Sequence, residues 1–215
     1  FNRPHAITID HEGNIWVVDD NAHQIHKMTK SGDYLMTIGS GTPAPKQSGD
    51  MFHRPTDVAI SKTTNEIFIS DGYDNSRIHR LDPNGKLIKS WGTIGTDPGE
   101  FNVPHNLALI DDEEVIVCDR ENHRIQVFDR NGKFETQWVN MARPCGLFID
   151  QSGDQRVYVG ELGAPIGPNS QAYGLGPRVT VLDIKGNVLA RLGDGPEGEG
   201  PGRFIAPHGV CIDSR

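Results

Sequence analysis

An apolar stretch that opens on a proline recurs five times in this chain, and that recurrence limits the available folds more than any other feature. Aligned on their prolines, the copies read PHAITID (4–10), PTDVAIS (55–61), PHNLALI (104–110), PCGLFID (144–150) and PHGVCID (207–213), at intervals of 51, 49, 40 and 63 residues. In the first four copies a turn leads to a second extended run: 14–19, 66–71, 114–119 and 156–159. A third follows at 23–28, 76–81, 123–128 and 178–182. Glycine-containing hairpin turns such as Asp82-Pro83-Asn84-Gly85 then lead to a fourth, which runs into Ile38-Gly39, Trp91-Gly92 or Leu192-Gly193. β-branched residues, closely spaced turn signals and the absence of helical periodicity make the chain all-β. Four strands repeated at roughly 40–50 residues are the signature of propeller blades.

The expected architecture is a single β-propeller domain over 1–215, with blades near 4–54, 55–103, 104–143 and 144–206 and the start of another at 207–215. Four blades and a fragment cannot close a six-bladed ring, which takes about 240–300 residues. The sequence therefore reads as part of a longer protein. A four-bladed ring fits worse, because the fifth opening would coincide with the first.

Composition narrows function by exclusion. A formal charge of -8 with no clustered basic run argues against nucleic acid. No apolar stretch approaches the ~20 residues of a membrane span. Cys118, Cys145 and Cys211 fall on separate repeats without CxxC spacing. They read as small buried hydrophobes rather than a disulfide framework or zinc knuckle, and leave the redox compartment open.

Three copies, alternating with the others, carry histidine after the proline: Pro4-His5, Pro104-His105 and Pro207-His208. Alternate blades of a six-bladed ring lie a third of a turn apart, so the three imidazoles could converge on one axial metal. Three neutral imidazoles leave a coordination position open, as in a catalytic zinc site. The competing reading is that each histidine caps its strand and hydrogen-bonds the neighbouring blade. Thr56 and Cys145 take the intervening slots. His11, His23, His26, His53, His79 and His123 are assigned to turns, outer strands or loops, most of them solvated. In an antiparallel meander the start of the first strand and the end of the second share a face. The histidines therefore share an end with 71–75 and 119–122, and with the Gly/Pro-rich rim segments 39–54, 92–103, 160–177 and 193–206.

The segments FNRPHAITID, AHQIHKM, RPTDVAI, ISDGYDNSRI, FNVPHNLALI and DRENHRIQVF resemble the NHL-repeat propeller of peptidyl-α-hydroxyglycine α-amidating lyase, densest over residues 1–130 and resuming at APHGV. The resemblance implies a six-bladed propeller with Zn2+ held by His5, His105 and His208. It places the catalytic tyrosine on Tyr73 of SDGYDNSRI and an active-site arginine on Arg120 of DRENHRI. A further family arginine falls one blade before the first residue here. The implied substrate is a peptide ending in α-hydroxyglycine, a carbinolamide cleaved to a peptide amide and glyoxylate. In that chemistry Tyr73 is the general base, and Arg120 acidifies it, holds the substrate carboxylate, or both. The secretory setting of such lyases implies an extracellular or periplasmic location.

The sequence also departs from the family. Asp74 stands where animal members carry a disulfide cysteine, which removes the cross-blade disulfides and fits a microbial relative. Ala206 replaces a methionine, and Gly209 replaces an acidic ligand of a structural Ca2+, which would then rest on groups such as the Ile7 carbonyl. Two other function classes stay open. One is a non-catalytic NHL module that binds a protein or peptide. The other is a different propeller enzyme, a lactonase or streptogramin-type lyase, which would hold its metal with carboxylate and asparagine ligands where this chain offers His, Thr, His and Cys.

Overall fold

A computed structural model describes residues 1–163, 175–193 and 195–213. Sixteen strands form four antiparallel four-stranded sheets. The first holds β1 (Pro4–Ile9), β2 (Ile15–Asp19), β3 (Gln24–Met28) and β4 (Tyr34–Ile38). The second holds β5 (Asp57–Ile60), β6 (Ile67–Asp71), β7 (Arg77–Leu81) and β8 (Leu87–Trp91). The third holds β9 (Pro104–Ile110), β10 (Glu114–Asp119), β11 (Arg124–Asp129) and β12 (Phe134–Trp138). The fourth holds β13 (Pro144–Asp150), β14 (Arg156–Glu161), β15 (Arg178–Asp183) and β16 (Val188–Leu192). Strand order follows chain order within every sheet, the meander of a propeller blade.

The sequence explains the layering. The second strands IFISD and EVIVCD are near-continuous apolar runs and are buried almost throughout, whereas the fourth strands LIKSW and VLARL alternate and stay largely exposed. Apolar residues shared by adjacent blades make the core: Trp16, Ile25 and Phe52 pack with Val58 and Ile69, and Phe68, Trp91 and Phe101 pack with Leu107, Val117 and Phe128. Three of the hairpins between third and fourth strands close on an aspartate, and that of the first blade on Thr29. Asp82 Oδ1 accepts the Asn84 and Lys86 amides, and Asp129 and Asp183 repeat the pattern. Gly132 in such a turn has φ +76°, and an added Cβ would stand 2.5 Å from Trp91; glycine alone fits there.

In three blades the carboxylate ending the second strand has a second task. Asp19 accepts the Asn2 and Arg3 amides, Asp71 the His53 amide, and Glu161 the Ala142 amide, so each clamps the segment entering its own blade. Contacts divide the chain into two compact units, Phe1–Val117 with Val127–Glu135, and Cys118–Gln126 with Thr136–Arg215. Among the described residues no helix is long and apolar enough to cross a membrane.

The solvation expected of two histidines needs correction. His79 is fully buried against Asp71 and His26 is 8% exposed, so neither is solvated. Most of the long rim segment at 160–177 lies outside the described residues.

Candidate functional site

His5 and His105 each follow the proline that opens a first strand. The β1–β2 register shifts between Pro4 and Ala6, so His5 sits at a bulge, a device that re-aims a side chain. The Nδ1 of His5 lies 2.7 Å from the Thr56 carbonyl oxygen, and that of His105 lies 2.7 Å from Asn106 Oδ1. Both partners are acceptors, so Nδ1 carries the proton in each ring and Nε2 presents its lone pair. The two Nε2 atoms meet at one point, the Tyr73 hydroxyl, at 2.9 and 3.2 Å. Ring nitrogens of the two that could hold a metal ion lie within 4.8 Å of each other, with ring centroids 4.9 Å apart.

Thr56, which fills the histidine slot in the intervening copy, braces the pair. Its carbonyl accepts His5 Nδ1–H, and its hydroxyl lies 2.9 Å from the Pro104 carbonyl. Ser70 Oγ donates to the His105 carbonyl at 2.6 Å. Gly72 lets this happen: a Cβ there would stand 1.8 Å from the Pro104 oxygen, so the start of β9 rests on the glycine. The strand-capping and site readings of these histidines are thus compatible, since His5 Nδ1 serves the neighbouring blade while Nε2 faces Tyr73.

Behind His105 lies Asp57. Burial pushes its carboxyl up to about 7, against the opposing Leu107 and Val58 amides and the Asn106 side chain. Asn106 therefore links a buried carboxyl to the imidazole.

Two guanidiniums flank Tyr73. Arg54 lies 4.6 Å and Arg3 5.8 Å from its ring centroid, both within cation–π range. The fully buried Asp20 holds both: Arg3 Nε donates at 2.7 Å and Arg54 Nη2 at 3.1 Å. Sequence reasoning passed over this pair. The available signal was the Arg-Pro dipeptide opening three copies, Arg3-Pro4, Arg54-Pro55 and Arg143-Pro144.

Arg120 and His208 belong to the other unit. Arg120 opens a 3-10 turn and donates from Nε to its neighbour Glu121 at 2.7 Å. Arg143 also donates to Glu121; burial alone would raise that carboxyl, but Arg143 and Arg120 hold it below its ordinary range. Burial pushes the nearby Cys145 thiol up to about 12, against the Arg120 guanidinium, so it is no nucleophile at neutral pH. His208 is exposed, and its segment rests on glycines as β9 does. A Cβ at Gly160 would stand 2.2 Å from the Pro207 oxygen, and one at Gly146 2.8 Å from the His208 oxygen. His208 thus stands to the fourth blade as His105 stands to the second. Cys145 occupies a bulge like that of His5, between Pro144 and Gly146.

The NHL repeat family matches residues 101–128. Peptidylglycine alpha-amidating monooxygenase of Rattus norvegicus is 42% identical over 141 residues, covering 62% of this chain and 14% of that protein. Peptidyl-alpha-hydroxyglycine alpha-amidating lyase 1 of Drosophila melanogaster is 33% identical over 188 residues, covering 80% of this chain and 35% of that protein. The chain thus spans well under half the length of these relatives. A streptogramin B lyase structure superposes with a TM-score of 0.64 at 16% identity, over 96% of this chain and 56% of that one, a likeness of fold. With an NHL repeat in its third blade and this identity over 62% and 80% of its length, the chain is a sequence relative of the peptidyl-alpha-hydroxyglycine alpha-amidating lyases.

Proposed function

We propose that the chain carries the site of a zinc-dependent lyase that cleaves a peptidyl-α-hydroxyglycine to a peptide amide and glyoxylate. One observation carries the reading: two imidazoles with Nδ1 tied back by acceptors aim their Nε2 lone pairs at a single point. A phenol has one proton and serves one lone pair at a time, whereas a cation accepts both. The tied-back Nδ1 atoms are the outer support expected of metal-binding histidines. His208 is the proposed third ligand, brought in by a closed six-bladed ring. The proposal makes no use of calcium, since Gly209 offers only backbone oxygen.

Zinc held there would supply Lewis-acid stabilisation to the hydroxyl oxygen of the substrate as it loses its proton. Tyr73 Oη, within hydrogen-bond distance of both imidazoles, is the proposed base for that proton, beside the zinc rather than in its place. The electron pair then forms the carbonyl of glyoxylate, the C–N bond breaks, and the amide nitrogen leaves and is protonated; no water is consumed. Arg54 and Arg3 beside the ring favour negative charge on the phenol oxygen. Arg120 is the proposed second cationic group of the site.

The streptogramin-type alternative gains only a fold from its structural likeness, and a binding module gives no reason for two tethered imidazoles on one phenol. Full-length protein should contain one zinc per chain by elemental analysis and release glyoxylate from an α-hydroxyglycine-extended peptide. Tyr73→Phe should lower kcat by about 10²-fold or more, the worth of a positioned proton-transfer group, while keeping the zinc. Metal-replete protein that releases no glyoxylate would overturn the lyase.

A further inference from the structure

We infer that Arg3, Asp20 and Arg54 form an anion bracket that takes the carboxylate of the substrate beside Tyr73. The inference deepens the lyase reading and rests on it for the identity of the ligand. Asp20 is completely buried and unites two arginines that arrive from different blades. The Arg3 side chain remains 51% exposed and that of Arg54 29%. Two guanidiniums on one carboxylate leave a positive charge unmatched. Beyond them Asp74 reaches Lys46 at 2.7 Å and Arg54 Nη1 at 4.0 Å, with His53 Nε2 3.7 Å away, so Arg3, Arg54 and Lys46 share the two carboxylates Asp20 and Asp74 and one positive charge is left over. In a chain of net charge -8 this is a local positive site, and it lies against the residue proposed to take the substrate proton.

A single structural ion pair needs one arginine. Here Asp20 fixes two, Arg3 donating to both of its oxygens through Nε and Nη2 and Arg54 Nη2 sharing Oδ2, at different distances from the same phenol ring. Guanidinium forks match the geometry of a carboxylate, and a group already held by Asp20 loses little freedom on binding another anion. The α-hydroxyglycine end offers a carboxylate one carbon from the hydroxyl that must reach Tyr73. The bracket would thereby select substrates with a C-terminal carboxylate at that spacing.

The test separates binding from turnover. An N-acylglycine and its carboxamide, neither able to react, are titrated into full-length protein with metal content matched between variants. Wild type should prefer the carboxylate by about tenfold to a hundredfold, the worth of a charge-assisted hydrogen bond. Arg54→Gln and Arg3→Gln should each erase most of that preference, and Arg54→Lys should restore part of it. Arg3→Gln alters a half-exposed side chain, so it reports even if Arg54→Gln fails to fold. A preference that survives Arg3→Gln and Arg54→Gln, or is absent in wild type, overturns the bracket. Glyoxylate release by wild type reports separately on the lyase: turnover with an unchanged KM in both variants sinks the bracket alone.

Discussion

His105 divides its two nitrogens between structure and site, and Asn106 decides the division. Asn106 Oδ1 accepts from Nδ1 at 2.7 Å and thereby fixes which nitrogen faces Tyr73. Asn106→Ala should therefore weaken zinc binding about tenfold to a hundredfold, the usual worth of an outer partner of a metal-binding histidine. Competition with a chelator, beside a thermal melt to show that the fold persists, measures it; unchanged affinity would mean that the ring needs no such tether. Residues like these differ in how visible they are in the sequence. The histidines were legible because a repeat slot alternates, and Tyr73 only through the resemblance of its segment. Arg3 and Arg54 were not, because their partner Asp20 lies 17 and 34 residues away and is reached by Arg3 through the β1–β2 pairing and by Arg54 through the packing of one blade on the next.

At the level of the strand, the position of a whole histidine depends on a missing Cβ. The start of β9 lies on Gly72 at the end of β6, and an added methyl would meet the Pro104 oxygen at 1.8 Å. Gly72→Ala must therefore push β9, and His105 with it, away from Tyr73. The expected cost is about 1–3 kcal/mol of stability, as for other overpacked positions, together with weaker zinc binding. Gly195→Ala is the control, since nothing lies within 4 Å of a Cβ there. Equal behaviour of the two variants in denaturant and metal titrations would show that β9 is not seated on Gly72. The strands, their hairpins and their order in each blade could be read from β-branched runs and Asp-x-x-Gly turns, because those signals are local.

For the molecule as a whole, buried ionisable groups pull stability in opposite directions with pH. Burial alone would raise Glu66, Asp112 and Asp10, but hydrogen bonds outweigh it and hold all three below their ordinary range; Glu66 gains them from Arg80 and Arg130. Their contribution is present above the ordinary carboxylate pKa and lost as pH falls through the lowered value. His23 and His26 are lowered, chiefly by burial, and also cost stability in acid. Asp57 runs the other way, raised from 3.8 to about 7 by burial. Above 3.8 the unfolded chain ionises this group while the folded chain holds its proton, so its contribution is whole below 3.8 and lost as pH rises through 7. At 1.36 kcal/mol per unit the loss is on the order of 4 kcal/mol by pH 8. Asp57→Asn cannot ionise, yet its side-chain oxygen can still accept the Leu107 amide. Its stability minus that of wild type, from urea denaturation at a series of pH values, should climb between pH 4 and 7 and level off by pH 8. Because the other groups are common to both proteins, that difference isolates Asp57; a flat difference would mean that its carboxyl is ionised at ordinary pH and that Asn106 links His105 to a charge rather than to a proton.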